Sequence, residues 1–106
     1  MSEIAYSVIC TIRYKTMEQE WLDWLRGGHI AEVIACGASS AELVKLDPET
    51  EGQVGTTYEI RYKFKDRGIF EQYLEKHAPR LRREGYERFP VEDGFQYRRT
   101  VGEVIN

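Results

Sequence analysis

Within eighteen residues, EWLDWLRGGHIAEVIACG (20–37), the chain places two tryptophans, a histidine, three carboxylates and a cysteine. His29 is a candidate general acid or base, because an imidazole needs only a modest environmental shift to titrate near neutrality. Its plainer role is to cap a helix break through a backbone carbonyl. Glu32 stands three residues further on, the i, i+3 spacing that helical metal sites use, with Cys36 a turn beyond. Two histidines in the whole chain make too thin a ligand set, so no metal is expected. Cys36 ends the second helical segment, where the negative helix pole opposes a thiolate nucleophile. Trp21 and Trp24 lie three apart and share a stripe with Met17 and Leu25. That stripe serves either core packing or the aromatic wall of a ligand pocket.

His77, in EKHAPRLRRE, is the second candidate. It falls on an apolar stripe with Phe70, Tyr73, Leu74 and Leu81, which predicts a half-buried ring. Arg80, Arg82 and Arg83 follow it, with Glu84 and Glu87 near enough to pair, and read as a solvated helix face. An anion site would need those arginines to converge with Arg13, Arg61 or Arg98 across a sheet. These last three, with Trp21 and Trp24, are the ligand-binding candidates. The chain has no Gly-rich phosphate loop, no nucleophile elbow and no ordered Ser/His/Asp set, and no cofactor is implied.

The elements that would position these residues follow from periodicity. Residues 4–14 alternate, with Ile4, Tyr6, Val8, Cys10, Ile12 and Tyr14 on one face, which predicts a strand. Thr16, with Gln19 three residues on, predicts a capped helix start. Gly27-Gly28 should end or bend that helix, Ile30, Val33 and Ile34 restart it, and Gly37 is a natural C-cap. Residues 39–47 and 56–64 read as strands joined by the turn-rich PETEGQVG. Residues 66–88 are helical, with Pro79 opening a new turn. Residues 94–104 form a last strand. The order is βαββαβ, an α+β ferredoxin-like fold with a four-stranded antiparallel sheet and both helices on one face. One domain over 1–106 is expected.

The helix-facing side of that sheet takes the tyrosine-rich set. The other face mixes Ile9, Val44 and Leu46 with Arg13, Glu42, Glu59, Arg61 and Arg98. Such a surface suits a partner, and a face-to-face homodimer would cover it through one two-fold axis. A formal charge of −3 argues against nucleic acid and anionic membranes as partners. RNA-recognition domains share this element order, but here the aromatics fall on the apolar face. No apolar run is long enough for a membrane helix, and MSEIAYSVICTIRY lacks the features of an export signal. Two cysteines, too few for a disulfide framework, point to a reducing cytoplasm.

The W-L-x-W helix leading to His29-Ile30, the A-x-G ending at Gly37, His77-Ala78-Pro79 and the final FQYRRTVGEV carry a resemblance. Over nearly its whole length the chain resembles a family of short bacterial proteins of unknown function. Proline often follows the histidine-isoleucine pair in that family; Ala31 stands there in this chain, so the second helical segment should start less sharply. The family is similar to the dimeric alpha-beta barrel group, which includes cofactor-independent monooxygenases, haem-degrading enzymes, small-molecule lyases and proteins without known activity. The resemblance implies fold and dimer and assigns no catalytic residue. Two functional expectations remain open. One is a dimer binding a small molecule between sheet and helices, a cofactor-free enzyme in its sharper form, with His29 or His77 titrating. The other is a non-catalytic dimerisation or protein-interaction module.

Overall fold

The computed structural model describes residues 2–106. Period-two alternation builds four strands, β1 (Ile4–Ile12), β2 (Ser40–Lys45), β3 (Thr56–Phe64) and β4 (Phe95–Glu103). They lie in the order β2-β3-β1-β4 with every neighbouring pair antiparallel, the ferredoxin-like arrangement expected from the element order. In the central strand Tyr6 sits between Tyr62 and Val101, and Val8 between Ile60 and Arg99. Ile4, Tyr6, Cys10 and Ile12 join Tyr58, Ile60, Tyr62 and Phe64 in the core. Tyr14 does not share that face: β1 stops at Ile12, and Tyr14 is exposed with the Arg13 guanidinium over its ring.

The helices cover the tyrosine-bearing side. They are α1 (Glu18–Trp24), α2 (Ile30–Ala35), α3 (Arg67–Lys76) and α4 (Ala78–Arg88). Phe64 packs edge-on to Phe70 of α3 at 5.1 Å, and Trp21 of α1 lies 5.5 Å from Tyr58. The expected Thr16 cap does not form. Lys15–Met17 is a 3₁₀ turn, Met17 precedes α1, and no side chain caps it. A tertiary anchor replaces the local one: Glu18 accepts hydrogen bonds from the Tyr58 hydroxyl (2.7 Å) and the Thr56 hydroxyl (3.3 Å). A carboxylate in the first turn is favoured there by the helix dipole.

At Gly27-Gly28 the chain bends without stopping. Leu25–His29 widens into a π-turn whose helical backbone breaks at Gly28, and α2 resumes at Ile30. Gly37 ends α2 as expected. Its φ of 135° lets its N–H reach the Ile34 carbonyl while the Ala38 N–H reaches Val33, the paired bonds of a Schellman motif. Asp66 caps α3 by accepting from the Ile69 N–H at 2.9 Å. The long helical pattern divides at His77, and Pro79 lies in the first turn of α4, where its missing N–H costs nothing.

Candidate functional site

Between the sheet and the helices lies a cavity of about 50 Å³, room for a few water molecules. The sheet contributes Tyr6, Val8, Ile60, Tyr62, Tyr97 and Arg99 to its wall. The bent helix adds Trp21, Trp24, Leu25, His29 and Val33, while Tyr73 of α3 and Leu81, Arg82 and Tyr86 of α4 complete it. Strand register explains the sheet side: Tyr62, Tyr6 and Arg99 stand within two rungs of one another. On the helix side, Gly85 leaves α4 bare where the Trp24 ring rests; a Cβ there would stand 3.5 Å from that ring.

The cavity's polar groups are guanidiniums, phenols and the His29 imidazole. Arg82 Nη2 donates to the Tyr6 hydroxyl at 3.2 Å, Arg99 Nη1 to the Tyr86 hydroxyl at 2.7 Å, and the Tyr97 hydroxyl to the Phe89 carbonyl at 2.9 Å. Three buried polar atoms have no hydrogen-bond partner among the described residues: the Tyr62 hydroxyl, Arg82 Nε and Arg99 Nε. All three belong to residues that line the cavity. Burial pushes the Tyr62 and Tyr73 phenols well above their ordinary range, so they are neutral donors at physiological pH. Burial opposes the charge on Arg99, but hydrogen bonding to Tyr86 and Tyr6 outweighs it and holds the group further into its cationic form. Cys10 is pushed up to about 12 by burial and is no nucleophile.

His29 stands at the cavity wall with its ring stacked on Trp24 at 4.1 Å. Burial lowers its pKa below the ordinary 6.5, and the charges of Glu32 and Glu84 pull only partly the other way. The shift therefore runs away from neutrality, contrary to the expectation, because desolvation exceeds the pull of half-exposed carboxylates. Near pH 7 the imidazole is neutral and can accept a proton. The sign for folding follows. The unfolded chain takes up this proton first, so the contribution is complete above about pH 6.5 and is lost as pH falls through the lower folded pKa. An NMR titration should give His29 a midpoint below 6.5, and a midpoint above it would contradict this burial.

Of the other candidates, Trp21 and Trp24 both line the cavity; Trp21 is fully buried and Trp24 half-buried. His77 is half-buried at the junction of α3 and α4, where its carbonyl accepts from the Leu81 N–H, and it lies outside the cavity wall. Arg13, Arg61 and Arg98 sit on the opposite face of the sheet. There Arg61 pairs with Glu59 at 3.2 Å and Glu42 at 3.8 Å. Burial alone would raise the Glu59 carboxyl, but hydrogen bonds from Arg61 and Ser7 hold it below its ordinary value. Arg98 borders an open groove of about 670 Å³ with Ile9, Thr11, Thr57 and Gln96, and Arg13 a smaller one beside Tyr14 and Gly94.

The arginines that do reach the cavity, Arg82 and Arg99, were not among the candidates. Their signals are legible in retrospect. Arg99 continues the inward series Phe95, Tyr97, and Arg82 falls on the inward stripe Ala78, Leu81, Gly85 at i, i+3, i+4, i+7 spacing. Arg80, by contrast, bridges Glu32 and Glu84 at the surface. Among the described residues no three His, Cys, Asp or Glu side chains cluster as metal ligands, and no helix is long and apolar enough to cross a membrane.

No curated protein matches the chain in sequence. Several solved structures match its fold. A dimeric ferredoxin-like protein from an uncultured marine organism superposes with a TM-score of 0.70 at 11% identity, over 100% of this chain and 98% of that one. A Dabb family protein with a ferredoxin-like fold from Mesorhizobium loti gives 0.66 at 13% identity, over 100% of both chains. An EthD family protein from Bacillus halodurans gives 0.63 at 11% identity, over 95% of this chain and 99% of that one. At such identities the likeness establishes the ferredoxin-like fold and leaves activity open. The sequence profile of a domain of unknown function (DUF4286) matches residues 3–104, and the chain belongs to that family.

Proposed function

We propose that the protein, acting as one domain over its length, binds a small molecule in the cavity between sheet and helices. The observation that carries this reading is the Tyr62 hydroxyl. The side chain is 1% exposed, yet its oxygen has no protein partner among the described residues. Buried polar groups are almost always hydrogen-bonded, and phenylalanine would fill the same space without the penalty. A bound molecule supplies the missing partner. In the enzymatic form of this reading, neutral His29 takes a proton from that molecule without a cofactor, and the surrounding phenols donate to the charge that develops.

We further propose that the protein works as a homodimer in a reducing cytoplasm. The open sheet face, with half-buried Ile9 and Val44 beside exposed Arg61 and Glu42, suits a twin copy of itself. The description of the marine fold neighbour as dimeric supports that arrangement. Two free thiols, Cys10 and Cys36, suit a reducing compartment.

Native mass spectrometry of the purified protein should show a dimer carrying a small adduct that leaves on gentle activation. A bare protein that also binds no member of a small-molecule panel would favour the interaction module. Tyr62→Phe should lose the adduct while raising the stability of the empty protein by about 1–2 kcal/mol, a shift of several degrees in Tm. An unchanged or lower Tm would mean that the hydroxyl is already satisfied, and the supporting observation would be gone.

A further inference from the structure

Among the described residues neither cavity arginine forms an ion pair. Arg82 donates to the Tyr6 hydroxyl and Arg99 to the Tyr86 hydroxyl, and both residues line the same cavity. Ion pairs among the described residues engage Arg61, Arg67 and Arg80, never these two. Two half-buried guanidiniums bonded only to phenols carry a desolvation cost that an anion between them would offset.

Donor and acceptor capacity narrows the choice. Two of the unpartnered atoms, Arg82 Nε and Arg99 Nε, can only donate, and the third, the Tyr62 hydroxyl, can donate as well. The missing group must therefore present several acceptors and need offer no donor, which describes an ionised carboxylate. Another part of the wall is apolar: Trp21, Leu25, Val33, Ile60 and Leu81. A bare inorganic anion would leave that half of the cavity unfilled. Size sets the remaining limit. The space of about 50 Å³ is a third of the roughly 150 Å³ that admits benzene in an engineered apolar cavity.

Building on the small-molecule reading above, we propose that the ligand is a short-chain organic monocarboxylate. Arg82, Arg99 and the Tyr62 hydroxyl hold its oxygens, and its apolar body lies against Trp21 and Ile60.

The test titrates the full-length protein with propionate, propionamide and inorganic phosphate, read by tryptophan fluorescence and by amide NMR shifts. Propionate should bind saturably, with propionamide and phosphate each at least tenfold weaker. Arg99→Gln should weaken propionate at least tenfold while keeping the wild-type circular dichroism, and Arg99→Lys, which retains the cation, should lose less. Should Arg99→Gln fail to fold, Arg82→Gln and the wild-type propionate-to-propionamide ratio decide the matter. Propionamide binding as tightly as propionate overturns the carboxylate assignment and leaves small-molecule binding intact. Phosphate binding as tightly as propionate overturns the organic body. Silence from all three probes, with no co-purifying ligand, overturns both readings.

Discussion

Trp21→Ala is expected to cost about 3–5 kcal/mol of folding stability, a large share of the roughly 5–15 kcal/mol that holds a typical domain together. Trp21 is 1% exposed, packs against Tyr58 and forms part of the cavity wall. Truncation therefore removes apolar burial and also joins the vacated volume to space that is already empty, so the surroundings have little to collapse onto. The melting temperature should fall by well over 10 °C, at roughly 4–8 °C for each kcal/mol. Added indole should recover part of that loss, because a ligand that binds only the folded form raises its apparent stability by mass action. Trp24→Ala serves as the comparison. Trp24 is half-buried, stacked on His29 and edge-on to Phe89, and its loss should be smaller and less responsive to indole. A Trp21 variant that melts within a degree or two of wild type would show that the wall is not rigidly built.

Gly55→Ala should be nearly as damaging for a different reason. Gly55 leads into β3 with a φ of +87°, and a Cβ there would stand 2.5 Å from the Ile12 carbonyl oxygen and 3.1 Å from the Arg13 Cα. Both obstacles are backbone, so no rotamer change relieves them. The left-handed conformation and the forced displacement of the end of β1 together should cost on the order of 2–4 kcal/mol, read as a lower urea midpoint. Gly52→Ala separates the two contributions: Gly52 also has a positive φ, +81°, but open space around it. Its variant should lose about 1 kcal/mol, the conformational part alone. Equal losses from both would show that the approach of the turn to β1 is not tight.

The parts of this molecule that could be read in advance are those decided locally. Alternation along β1 and β3 expresses the pleat itself. Gly37 and Pro79 act within one turn of their own positions, and both behave as their chemistry requires. Thr16 failed as a cap because a contact some forty residues away, between Glu18 and Tyr58, secured the helix start instead. The arginines show the same division. Alternation puts Arg13, Arg61 and Arg98 on the outer face. Reading the Arg80, Arg82 and Arg83 run as a solvated helix face leaves Arg82 out of the site, and nothing in that reading singles out Arg99. Geometry overrules type at those two positions. A cavity is also what packing leaves over, and no periodicity records the volume remaining between Trp21, Tyr62 and Leu81.

The widened turn at Leu25–His29 does arithmetic for the helix it interrupts. Trp21, Leu25 and Val33 are each 1% exposed and so must share one inward seam. In an uninterrupted α-helix, at about 100° per residue, Val33 would point about 120° away from Trp21. The break at Gly28, where the backbone leaves helical geometry, re-aims the chain so that Val33 returns to the same core as Trp21. The glycine pair thus works as a phase correction, and it is what allows a single run of chain to roof the chamber along its whole length.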